Sequence, residues 1–134
     1  MTLVPVADGP AVVVCKTCRL PAGADGGGPR DGALLAAALR TAQADDPAWA
    51  DIAVQEMPCL FACDRACTIH LRAPGKIGYV LGGFMPSEDA ATGIMRFMRH
   101  YVDSETGQVA YRLWPEAVKG HFIVRIPPAG QLVA

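Results

Sequence analysis

The chain has no long apolar run. Ala11–Cys15 and Ala33–Leu39 fall far short of the roughly 20 residues that cross a bilayer, so no membrane partner is expected. Charge of one sign is not in excess either. Lys and Arg number 12 against 13 Asp and Glu, a formal net charge of -1, so no broad field is on offer for a phosphate backbone, and nucleic-acid binding is not expected. No basic segment followed by an apolar stretch opens the sequence, which makes the cytoplasm the expected location. Gly26-Gly-Gly28 lacks the Gly-Lys-Ser/Thr continuation of a phosphate loop, and no Gly-x-Ser-x-Gly elbow occurs. Kinase and hydrolase readings therefore have no residues to rest on. No internal repeat is evident.

What the sequence does contain is core material: 51% of its 134 residues are hydrophobic and 19% charged, enough for one ordinary domain. A single domain is expected over 1–134, with a core at about 11–102 and a C-terminal extension over 103–134. Ala11–Cys15 is a β-branched run suited to a buried strand that stops at a cysteine. Pro21–Pro29, with four glycines, reads as a loop. Asp31 is a candidate cap for a helix reaching Ala44, with Leu34, Leu35 and Leu39 on its apolar stripe. Ile52–Glu56 reads as a second strand, and Thr68–Arg72 with Lys76–Leu81 as a hairpin about Ala73-Pro-Gly75. Ser87 predicts the cap of a second helix running to Asp103 through Ala91, Ile94, Met95, Met98, Tyr101 and Val102. Gln108–Leu113 and His121–Ile126 are candidate short strands. The order β, α, β, β, β, α describes a small sheet with helices packed on it, an α/β or α+β layer structure. Tyr111, Trp114, Phe122, Val124 and Ile126 need cover, from this chain or from a second copy.

Four of the five cysteines form two tight pairs, Cys15-Lys-Thr-Cys18 and Cys59-Leu-Phe-Ala-Cys63. A thiol pair on one short loop loses little chain entropy in converging on one ion. Two such loops supply the four sulfurs of a tetrahedral or binuclear centre, and spacing alone does not separate zinc from iron. Each cysteine is also a candidate core residue, and Cys15 with Cys18 is a candidate redox dithiol, a reading that leaves Cys59 and Cys63 without a role. Cys67-x2-His70 is a weaker ligand pair, with His70 expected on the solvated face shared by Thr68 and Arg72. His100 and His121 have no ligand spacing, and Met95, Phe97 and Met98 read as helix core.

The stretch from Val54 through Pro58 and Cys59-Leu-Phe-Ala-Cys63, then a hairpin with Gly75 and Tyr79, then Met85-Pro-Ser-Glu-Asp and a helix, resembles the C-terminal half of thioredoxin-like 2Fe-2S ferredoxins and the related small subunit of respiratory complex I. In element order the resemblance covers about residues 11–102. The whole chain is similar to a bacterial family described as predicted metal-binding proteins, whose genes often lie near cobalamin-biosynthesis genes. The resemblance implies an α/β, thioredoxin-like fold, a small mixed sheet flanked by helices with a C-terminal extension. It also implies a 2Fe-2S cluster held by Cys15, Cys18, Cys59 and Cys63. In the ferredoxins the first two ligands are farther apart than Cys15 and Cys18, and Phe61 stands where glycine is frequent. Cys67 stands where the complex I relatives tend to have proline and is a possible substitute for Cys18.

A cluster of that type carries a formal charge of about -2, or about -3 when reduced. Lys16, Arg19 and Arg65, opposed by Asp64 alone, make the two loops locally basic and suit a reduced anionic centre. Leu60, Phe61 and Ala62 are expected to give it an apolar cover. The resulting expectation is a one-electron carrier rather than an enzyme, with a redox partner (reductase or acceptor), a possible homodimer, and a possible place in cobalamin metabolism. The alternatives are a zinc-binding or metal-delivery module and a thiol-disulfide oxidoreductase using Cys15 and Cys18.

Overall fold

The computed structural model describes residues 1–19 and 30–134. The glycine-rich loop expected at Pro21–Pro29 lies outside them. Five strands, β1 (Ala11–Cys15), β2 (Ala53–Met57), β3 (Ile69–Arg72), β4 (Gly78–Leu81) and β5 (Phe122–Ile126), form one sheet in the order β2-β1-β3-β4-β5. β1 and β2 are parallel and joined through helix α1 (Asp31–Asp45), whereas the β1–β3, β3–β4 and β4–β5 pairs are antiparallel. Helix α2 (Glu88–Asp103) follows β4. The expected mixed sheet with packed helices is what the chain forms.

Register explains which side chains make the core. Val12 lies beside Leu71 and Val14 beside Ile69, while Leu71 pairs with Tyr79 and Ile69 with Leu81. These residues therefore share one sheet face, and all are buried. α1 covers that face with Leu35, Ala36, Leu39 and Ala42, and α2 with Ile94, Met95, Phe97, Met98 and Tyr101. Tyr79 meets Phe97 and Tyr101 edge-on, with ring centroids 5.9 and 6.0 Å apart, and the Tyr101 hydroxyl donates to the Ile77 carbonyl at 2.5 Å.

α2 starts as its sequence dictates. Ser87 Oγ accepts the Ala90 N–H at 3.1 Å, and Glu88 and Asp89 occupy the positive end of the helix dipole. α1 differs from expectation at its start. Arg30 holds the cap position without a side-chain cap bond, and Asp31 is the first helical residue. Leu34 points outward, 41% exposed, because only Leu35 and Leu39 keep the inward spacing.

The segment after α2 returns to the sheet. Phe122–Ile126 supplies β5 where a strand is expected over His121–Ile126, but the strand expected at Gln108–Leu113 does not form, and a 3-10 turn occupies Tyr111–Leu113. The indole N–H of Trp114 bonds back to the Val109 carbonyl at 3.0 Å, and its ring stacks on Phe122 at 4.3 Å. These aromatic side chains are satisfied by turning onto β5 rather than by extending beside it. Among the described residues no helix is long and apolar enough to cross a membrane.

Candidate functional site

Two parallel neighbours end on the same rim of a sheet, and here both end in cysteine loops. Cys15 is in register with Met57, and the Lys16 N–H continues the ladder to the Met57 carbonyl at 2.9 Å. The first loop then lies on the start of the second. Thr17 Oγ1 donates to the Pro58 carbonyl, and Cys15 Sγ approaches the same oxygen at 3.9 Å. Cys18 closes a turn through its N–H to the Cys15 carbonyl at 3.3 Å. The Cys18 carbonyl accepts the Gly32 N–H at 3.0 Å, which ties the loop to α1. A Cβ at Gly32 would fall on the Cys15 carbonyl oxygen, so only glycine allows this approach.

The second loop is held from behind. Phe61 has φ +58°, the left-handed region that glycine enters freely, and its N–H donates to Cys59 Sγ at 3.3 Å. A 3-10 turn at Cys63–Arg65 follows, then a cis Ala66–Cys67 peptide. The Cys67 N–H reaches the Phe84 carbonyl at 3.4 Å, and the Arg65 carbonyl accepts the Gly83 N–H at 2.8 Å. His121 buttresses that contact: its Nδ1 lies 2.8 Å from the Gly82 carbonyl and its ring stacks on Phe84 at 4.2 Å.

Thr68 joins the two loops. It is fully buried, its carbonyl accepts the Cys15 N–H at 3.0 Å, and its Oγ1 stands 3.9 Å from Cys18 Sγ. The same hydroxyl is placed to donate to the Arg65 carbonyl at 3.0 Å or the Ala62 carbonyl at 3.2 Å. Strand alternation predicts Thr68 on the solvated face with His70. It lies before the first residue of β3, where the chain is still in the loop and the alternation does not apply. His70 itself is half-buried beside Val13 and Val80, and burial, with Arg72 nearby, lowers its pKa.

The five cysteines are free thiols of different exposure. Cys15, Cys18 and Cys67 are buried, Cys59 is half-buried and Cys63 exposed. Burial works against ionisation of Cys15. Hydrogen bonds from the Cys18 thiol, the Leu60 backbone and Thr17 outweigh it and lower the Cys15 pKa. Burial, and its hydrogen bond to Cys15, push Cys18 up to about 11. Cys67 is pushed up to about 12 by burial, with Cys18, Asp31 and Cys15 adding to the effect. The charges of the first pair thus act on Cys67.

The structure thus brings the first pair against the loop that carries Cys59. Among the described residues no three His, Cys, Asp or Glu side chains stand together as a ready-made ligand set. The donor chemistry nevertheless suits a thiolate-held centre, with soft sulfurs on two adjoining loops and backbone N–H groups aimed at Cys59 and Cys15. One expectation is corrected. Phe61 does not cover the loop: its side chain is 92% exposed, because the left-handed backbone turns it outward while Leu60 and Ala62 stay half-buried.

This is a mixed α/β fold of thioredoxin-like type. It aligns with a solved thioredoxin-like [2Fe-2S] ferredoxin from Aquifex aeolicus at a TM-score of 0.50 and 20% identity, over 94% of this chain and 100% of that one. The family described as "Protein of unknown function (DUF1636)" matches residues 12–128, and the chain belongs to it. Among curated proteins none matches the sequence.

Proposed function

We propose that this protein is a one-electron carrier that holds a 2Fe-2S cluster through Cys15, Cys18, Cys59 and Cys63, with Cys67 as the thiol able to replace Cys18. The observation that carries the reading is the joining of both cysteine loops at one rim, with Cys15 Sγ 3.9 Å from the carbonyl of Pro58, the residue before Cys59. The shared fold with a ferredoxin supports it.

When bound, such a centre supplies reversible one-electron transfer. The chain's part is to hold and tune it. Phe61 N–H on Cys59 and the Leu60 backbone on Cys15 stabilise negative sulfur, and Lys16, Arg19 and Arg65 favour the added electron. The likeness to a ferredoxin favours a carrier served by a redox partner protein in the cytoplasm over an enzyme. A role in cobalamin metabolism rests on the resemblance alone. The chain is one domain over 1–134, with a core at about 11–102 and a C-terminal extension over 103–134.

A second reading is favoured by one observation: Cys15 and Cys18 are hydrogen-bonded with pKa values moved in opposite directions. That asymmetry suits a dithiol in which Cys15 thiolate attacks a substrate disulfide and releases one thiol. Cys18 then displaces the second thiol and leaves a Cys15–Cys18 disulfide. Anoxic purification followed by visible absorption and iron, sulfide and zinc analysis separates the readings. Iron with equal inorganic sulfide supports the carrier. Colourless stoichiometric zinc would instead support a zinc-binding or metal-delivery module, and metal-free protein that reduces disulfides the dithiol.

A further inference from the structure

The chain just after Cys63 is held by a segment that has no regular structure of its own. Gly82, Gly83 and Phe84 follow the end of β4 and precede α2. The Gly83 N–H donates to the Arg65 carbonyl at 2.8 Å, and the Phe84 carbonyl accepts the Cys67 N–H at 3.4 Å. A Cβ at Gly82 would fall on the Arg65 carbonyl oxygen and would also come within 2.9 Å of Ile123 Cδ1. These three residues are therefore a bracket wedged between the second cysteine loop and the C-terminal extension. A bracket without helix or strand bonds needs its own fixing.

His121 provides it. Its backbone carbonyl accepts the Gly82 N–H at 2.9 Å, and its Nδ1 lies 2.8 Å from the Gly82 carbonyl. A carbonyl only accepts, so Nδ1 carries the proton and donates. The imidazole also stacks on Phe84, with centroids 4.2 Å apart and planes 8° from parallel. One residue thus grips both backbone polar groups of Gly82 and the ring two positions on. A bulge decides that it is this residue. Val80 pairs with Val124 but Leu81 with Phe122, so Ile123 is an extra residue in β5. Unshifted pairing would set Phe122 opposite Gly82, and its side chain has no hydrogen bond to give.

We propose that His121 is a positioning residue for the thiolate-held centre: through Gly82–Phe84 it sets the course of Arg65–Cys67, and so the place of Cys63 relative to Cys15, Cys18 and Cys59. The C-terminal extension is then part of the support of the site, although it contains no cysteine. The inference rests on the four-thiol centre proposed above, and not on that centre being a 2Fe-2S cluster. Groups that hold ligands in place act on metal affinity without touching the metal.

The test uses the reduced, metal-free full chain under argon with Co2+ alone as the probe. Cobalt–thiolate charge-transfer absorption and the tetrahedral ligand-field bands report how well the sulfurs converge. His121→Ala is expected to weaken Co2+ binding about tenfold and to reduce the ligand-field bands. His121→Asn places an amide N–H where Nδ1–H stood and is expected to restore most of both. His121→Phe keeps a ring on Phe84 without the donor, and repeats the test if the alanine variant does not fold. Trp114→Phe loosens the same extension at its stack on Phe122. It is expected to lower the urea midpoint and leave Co2+ binding unchanged.

Equal Co2+ affinity and spectra in the wild type and the folded His121 variants overturn the positioning role. So does equal weakening by Trp114→Phe, which would make the effect one of general stability. A wild-type chain without cobalt–thiolate absorption overturns it as well. The carrier reading is judged separately, by iron and sulfide in the anoxically purified protein. A chain without iron whose cobalt site still depends on His121 loses the carrier reading and keeps the positioning role.

Discussion

Cys18 and Thr68 are 50 residues apart in sequence and 3.9 Å apart at Sγ and Oγ1. The same buried hydroxyl faces the Arg65 and Ala62 carbonyls, so one side chain fixes the spacing of two cysteine loops. Thr68→Val keeps the shape and deletes the hydroxyl, leaving those carbonyls short of a donor. Urea unfolding is expected to show a loss of about 1–3 kcal/mol, with lower iron loading. Thr68→Ser should restore most of both.

In the proposed cluster the fourth ligand is a choice between two thiols that burial has raised, Cys18 to about 11 and Cys67 to about 12. Cys18→Ser is expected to abolish the visible absorption of a 2Fe-2S centre. Cys67→Ala is expected to retain it at full iron content and to lose about 1 kcal/mol of stability. The opposite pattern would assign the ligand to Cys67.

Charge near the centre is expected to tune its potential. Arg65→Gln removes one exposed cation two residues from Cys63. A surface charge interaction of about 0.2–1 kcal/mol corresponds to a downward shift of roughly 10–40 mV for one electron. Spectroelectrochemical titration of the two proteins reads it directly, and an unchanged potential removes the tuning role.

His70 gives a pH signature. Burial first, then Arg72, lowers its pKa in the folded protein below the ordinary value of 6.5. The unfolded chain therefore binds the proton more readily between those two values. Its contribution to stability is complete above pH 6.5 and is lost as pH falls through the folded pKa. Melting temperature should drop between about pH 7.5 and 5, and His70→Gln should flatten part of that drop.

Gly32 sets two effects against each other. Alanine in a helix gains about 1 kcal/mol over glycine, but its Cβ would meet the backbone of Cys15, which cannot step aside like a side-chain end. Overpacking of this kind costs about 1–3 kcal/mol. Gly32→Ala is expected to destabilise in thermal unfolding and to disturb the first cysteine loop.

The sequence was most legible where local and global signals agree. Ser87, two acids and the 3.6-residue apolar spacing put α2 at its observed limits, and β1 ends at Cys15 as its β-branched run implies. Edges moved where chain pairing decides them: β2 runs Ala53–Met57 because it registers against Ala11–Cys15. Gln108–Leu113 has the pattern of a strand but ends in a 3-10 turn at Tyr111–Leu113, and Trp114 stacks on Phe122. The candidate site was written in the sequence as two cysteine pairs, with Cys67 and basic residues beside them. Thr68 and His121 act through contacts 50 and 39 residues away, and no local pattern encodes those.

The stack of Trp114 on Phe122 places an intrinsic fluorophore against the outermost strand, far along the chain from the cysteines. Emission from that indole, read against that of Trp49, is a label-free optical gauge of whether the tail stays zipped to the sheet as the chain unfolds.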